Sequence, residues 1–138
     1  MDQVILDGIN KNVAPEDTLY FLGDFCFGGH VRTPLYRSRI ACQTIHVCRG
    51  NHDEKLDLYK NHFTSVNDVM LVKHGKSNFW LSHYSHQVWI GSHKGYIHLF
   101  GHSHDSITGI GKSMDVGIDT AYGVLGEYRP FSVEEVIS

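Results

Sequence analysis

Thr44-Ile45-His46-Val47-Cys48-Arg49-Gly50-Asn51-His52-Asp53 sets the frame of this chain. Its first five residues are a β-branched and apolar run of strand length. Its last four put a glycine, an amide, an imidazole and a carboxylate into one turn. Moving outward, the same arrangement recurs three times. Thr18–Leu22 (TLYFL) runs into Gly23-Asp24, Asn78–Ser82 into His83, and Tyr96–Phe100 into Gly101-His102-Ser103-His104. Side chains at strand ends in an α/β sheet gather on one edge, where ligands bind. One aspartate, one asparagine and three histidines gathered there would suit divalent metals of the Mn/Fe/Zn type.

The remaining segments fill in the architecture. Gln3–Val13 places Val4, Ile5, Ile9 and Val13 at helical spacing, and Ala14-Pro15-Glu16-Asp17 breaks the helix. The pattern predicts a second helix over Pro34–Gln43, with Leu35, Arg39 and Cys42 on one side, and a third over Glu54–Asn61. Val69–Lys73 and Met114–Ile118 read as further strands, and Val133–Ile137 as a terminal turn or helix. Strands and helices interleave early and strands dominate later. The expectation is a single α/β domain over residues 1–138, a sandwich of mixed β-sheets flanked by helices.

Composition narrows the function classes. A chain of 138 residues is long enough to bury a core, and its formal charge of −3 offers no case for nucleic acid or an anionic membrane. Eleven histidines are the compositional outlier. The three cysteines form no CxxC pair and suit free thiols in a reducing compartment. No apolar run reaches the length of a membrane span, and the polar start does not read as a secretory signal. A soluble cytoplasmic protein is the expected setting, with no membrane partner and an oligomeric state left open.

Each residue has a plain reading beside the chemical one. Asp24 alone fits a turn aspartate, and Asn51 or Asp53 fits a helix cap before Glu54. The chemical reading makes Asp24 a bridging carboxylate, Asn51 an amide-oxygen ligand and His52 a proton donor or a stabiliser of charge, oriented by Asp53. His102 and His104, two apart on extended backbone, point to the same side and make a metal fork. His30, beside two glycines, and Arg49 are candidates for contact with substrate. His46 and His98 alternate within strands and read as side chains facing neighbours. Trp80, Tyr84 and Trp89 read as core or cleft wall. Neither a Gly-rich phosphate loop nor a nucleophile elbow is present in the sequence.

Taken together and in order, Gly23-Asp24, Gly50-Asn51-His52-Asp53, His83 and Gly101-His102-Ser103-His104 resemble the calcineurin-like metallophosphoesterase family. That family's motifs run D-x-H, GD, GNH[DE], H and GHxH. The similarity spans about Thr18 to Asp119, and LGDF, RGNHD and SHY before GHSH look like its small bacterial and phage members. The resemblance implies that Asp24 bridges two metal ions, that Asn51, His83 and His102 complete one ion's protein ligands, and that His104 belongs to the other. His52 would face the substrate phosphate. Two ions roughly 3.5–4 Å apart would clamp an in-line displacement by a bridging hydroxide. Mn, Fe, Zn or Ni all fit such donors, and the substrate class (monoester, diester, nucleotide or nucleic acid) stays open.

The departure from the pattern lies at the front. Neither Asp2 nor Asp7 has a histidine two residues later, so D-x-H and its strand are missing from these residues. The expectation is an N-terminally incomplete domain, holding one ion where a complete member holds two. A longer natural chain could carry D-x-H, the chain could be a truncated non-catalytic metal-binding remnant or partner-binding domain, or His30 or Asp115 could fill the vacancy. A histidine-rich zinc module is a third class of reading.

Overall fold

Residues Gln3–Asn12 form helix α1, whose Leu6 and Ile9 are buried while Val4 is exposed. The apolar face is therefore centred on Leu6 and Ile9, with Ile5 and Val13 packed beside it. Pro15 cannot continue the helix, and the Asp17 carboxylate accepts the Ala14 amide at 2.9 Å to close the turn. The computed structural model describes residues 3–23, 33–50, 55–101, 112–126 and 129–137.

Strands β1 (Thr18–Phe21), β2 (Thr44–Cys48) and β3 (Ser65–Asn67) form a parallel sheet in that order. Leu19 lies opposite Ile45, and Val47 opposite Val66. Strands β4 (Val69–His74), β5 (Ser77–Ser82), β6 (Ile97–Phe100) and β7 (Ser113–Asp115) form the second sheet. Its β4–β5 pair is antiparallel, while β5–β6 and β6–β7 are parallel. Helices α2 (Thr33–Ser38), α3 (Ile118–Leu125) and α4 (Val133–Ile137) complete the fold, with two 3-10 segments among the described residues. The result is α/β, with mixed sheets flanked by a few helices.

Two core clusters hold these layers. Leu6, Ile9, Leu19, Ile45, Val47 and Leu56 lie in the first, between the parallel sheet and its helices. Cys48, Phe79 and Leu81 centre the second, where the sheets meet, with Val133 and Val136 of α4 packed against it. Cys42 and Cys48 are free thiols, both buried. Burial, with the Asp68 carboxylate nearby, pushes the Cys48 thiol up to about 12, so it is chemically quiet. Helix α4 is short but well held. Ser132 and Glu135 exchange reciprocal capping bonds, and Arg129 grips the same carboxylate with two nitrogens at 2.9 and 2.7 Å.

Three segments differ from the sequence pattern. The predicted helix over Pro34–Gln43 stops at Ser38. Arg37 donates to the carbonyls of Ile40, Gln43 and His62, while Asn10 takes the Ala41 amide and the Arg39 carbonyl. Backbone groups that would have continued the helix are thus bound from outside it. The Glu54–Asn61 prediction becomes a 3-10 segment over Leu56–His62, kinked at Tyr59. The strand predicted over Met114–Ile118 ends at Asp115, whose carboxylate accepts the Gly117 amide at 2.8 Å and turns the chain into α3.

Candidate functional site

Strands β1, β2, β5 and β6 end at one junction between the two sheets. His83, immediately after β5, is 2 % exposed, and its Nδ1 lies 2.8 Å from the Leu22 carbonyl after β1. The Gly101 amide, immediately after β6, donates to the His83 carbonyl at 3.1 Å. Gly23 has φ +104°, and a Cβ placed there would overlap the His83 ring, 2.6 Å from Cγ and 3.0 Å from the Gly50 Cα. A Cβ on Gly101 would come within 3.2 Å of the Leu22 carbonyl oxygen. Glycine at 23 therefore serves two ends, a left-handed backbone and room for an imidazole.

The His83 contact fixes a proton. A carbonyl oxygen only accepts, so the His83 Nδ1 carries a proton and donates it to the Leu22 carbonyl. Metal-binding histidines are oriented in this manner, by donating the other ring N–H to a carbonyl or carboxylate. The Tyr84 ring stands edge-on to the imidazole, centroids 4.9 Å apart. Buried His98 uses both ring nitrogens. Its Nδ1 donates to the Trp80 carbonyl at 3.0 Å, and its Nε2 accepts the His86 amide at 2.9 Å. Both nitrogens are spent on structure, in keeping with the reading of His98 as a strand side chain facing its neighbours.

That commitment carries a pH dependence. Burial, reinforced by His86 and opposed by the Trp80 carbonyl, holds His98 below its ordinary value of 6.5. On acidification the unfolded chain takes up the proton first. Stability is then complete above about pH 6.5 and falls below it, until the folded-state value is reached. Urea unfolding at pH 7.5 and 5.5 is expected to show the chain less stable at the lower pH, with part of the loss from this group. His98→Gln, which can keep both hydrogen bonds without titrating, should flatten part of the slope. His46, also lowered by burial, contributes in the same direction. An unchanged slope in the variant would remove His98 from the explanation.

Of the candidate site residues read from the sequence, His83, Arg49 and Asp115 fall among the described ones. Asp24, His30, Asn51, His52, Asp53, His102 and His104 lie outside them. Arg49 follows β2, and its Nε makes a 2.9 Å ion pair with the Asp68 carboxylate. Among the described residues no group of three or more His, Cys, Asp or Glu side chains is placed to hold a metal ion. What motif reading passes over is the Leu22 carbonyl and the close approach of Gly23 to His83 and of Gly101 to Leu22, because neither carries a side-chain signature.

No family model and no curated protein matches this chain. A solved structure, the protein of unknown function AQ665 from Aquifex aeolicus, is similar to it with a TM-score of 0.75 and 23% identity. The match covers 97% of this chain and 82% of that one. The likeness is one of fold.

Proposed function

We propose that this chain is a metal-dependent hydrolase of phosphate esters, with its site at the shared strand-end edge. One observation carries the reading: Gly23, Gly50, His83 and Gly101 meet at one junction. Three of them immediately precede Asp24, Asn51 and His102 in the chain, so the motif residues start from a common point. In the proposal Asp24, Asn51, His83, His102 and His104 hold the metal. The Nδ1 donation of His83 fits such a role, and the mix of imidazole, amide and carboxylate suits Mn, Fe, Zn or Ni.

When bound, the divalent ion supplies Lewis acidity toward phosphorus and a water acidified toward neutral pH. The chain's own part is positional and proton-handling. The Leu22 carbonyl fixes the His83 ring, so its orientation is set before any ligand arrives. His52 donates a proton to the departing alkoxide, and Asp53 orients His52 for that transfer, a step worth typically about 10²–10⁴-fold.

Hydrolysis of bis-p-nitrophenyl phosphate with added Mn²⁺ tests the proposal. Metal-dependent turnover that Asp24→Asn and His52→Gln both abolish is the expected result. Stoichiometric metal binding without turnover on this diester or on p-nitrophenyl phosphate would overturn it in favour of a non-catalytic metal-binding domain. A single tightly held zinc whose chelation melts the fold would point instead to a structural zinc module.

A further inference from the structure

At the opposite pole of the second sheet, where β5, β6 and β7 begin, lies a pocket of about 500 Å³. Lys76, Lys94 and Lys112 line it above an apolar floor of Ile97, Met114 and Val136. No acidic side chain is among its described lining residues. None of the three ammonium groups has a hydrogen bond or ion pair among the described residues, on a chain whose net charge is −3. Like charges brought together without a counter-charge are destabilising, and an anion between them removes that cost.

The rim is held rigidly by backbone geometry. Gly91 and Gly95, with φ +75° and +83°, bracket the 3-10 turn Ser92–Lys94. The Lys94 and Tyr96 amides both donate to the Gly91 carbonyl, and the Trp89 indole N–H donates to the Tyr96 carbonyl at 2.9 Å. A Cβ on Gly95 would lie 3.3 Å from the Lys112 Nζ, so the glycine lets that ammonium pack beside the turn that presents Lys94. Lys76 arrives from the two-residue β4–β5 hairpin, where Gly75 adopts φ +60°. Three separate loops thus deliver one cation each to the same concavity.

We infer that this pocket binds a small organic polyphosphate of the nucleoside triphosphate kind. The phosphates lie among Lys76, Lys94 and Lys112, and the apolar part rests on Ile97, Met114 and Val136. The size fits, since small-molecule sites commonly run from about 300 to 1,000 Å³. The pocket is one strand length, roughly 15–20 Å at about 3.3 Å per residue, from the junction at His83 and Gly101. It is therefore separate from the proposed hydrolytic site and does not depend on that proposal.

Calorimetric titration of the full chain with ATP, in EDTA to prevent turnover, tests the inference. Saturable binding is expected, about tenfold weaker in Lys94→Gln or Lys112→Gln and lost in the double variant. These exposed substitutions leave the core untouched, and circular dichroism verifies folding. AMP should bind more weakly for want of charge, and inorganic tripolyphosphate for want of contact with the floor. Failure of ATP to saturate, or equal affinity in the double variant, would overturn the inference. So would tripolyphosphate binding as tightly as ATP, loss of binding in His52→Gln alone, or preference for a dT oligomer over ATP.

Discussion

Replacing His83 by alanine is expected to lower Mn²⁺-dependent turnover by more than about 100-fold, beyond the usual cost of disturbing a metal's supporting groups. Two losses combine in that variant. The proposed metal site loses an imidazole, and the Leu22 carbonyl loses its 2.8 Å donor in a part-buried setting. An acceptor left unpaired there costs up to about 1–3 kcal/mol. His83→Asn separates the two effects, because its amide can donate to the carbonyl while offering a poorer ligand. The expected pattern is stability recovered in urea unfolding without recovery of turnover or metal affinity. Should alanine lower stability yet keep full turnover, His83 would be a structural tie between the sheets and nothing more.

Gly23→Ala should be strongly destabilising. The new Cβ meets the imidazole of His83 at a backbone of φ +104°, so neither the ring nor the strand end can keep its place. Backbone strain and overpacking together predict a loss of about 2–5 kcal/mol. Gly75→Ala provides the comparison. Gly75 also has positive φ, +60°, but nothing lies within 4 Å of its would-be Cβ. It should therefore show conformational cost alone, about 1–2 kcal/mol. Denaturant midpoints of the two variants measure the difference. Equal losses would mean that the His83 ring yields easily and that the junction is loosely packed.

The strands were the most legible part of this chain. Thr18–Phe21, Thr44–Cys48 and Ser77–Ser82 are apolar or β-branched runs closed by glycine or polar residues, and they pair as such. What escaped depended on distant partners. Helix α2 stops early because Arg37 reaches His62 and Asn10 reaches Ala41, bonds between residues 25 and 31 apart. Strand β3, only three residues with no alternation of its own, exists through its backbone pairing with β2. Helix α3 carries Ile118, Ala121, Tyr122 and Leu125 at helical spacing, a signal that reading Met114–Ile118 as a strand obscures.

The site was legible to a different degree. Order and spacing picked out His83 and the three glycine-led motifs, while the contact that fixes the His83 ring comes from a main-chain oxygen and leaves no mark on the sequence. The lysine pocket was invisible for a related reason. Its cations come from positions 76, 94 and 112, too far apart to form a motif.

Cys42 and Cys48 sit in different core clusters, one beneath the helices and one between the sheets. After Cys26 is changed to serine, each thiol becomes a timer for its own layer. Alkylation proceeds only through the transient opening that uncovers the sulfur, so its rate reads the free energy of that breathing motion. The molecule thereby reports separately on how often its helices lift away and how often its sheets part.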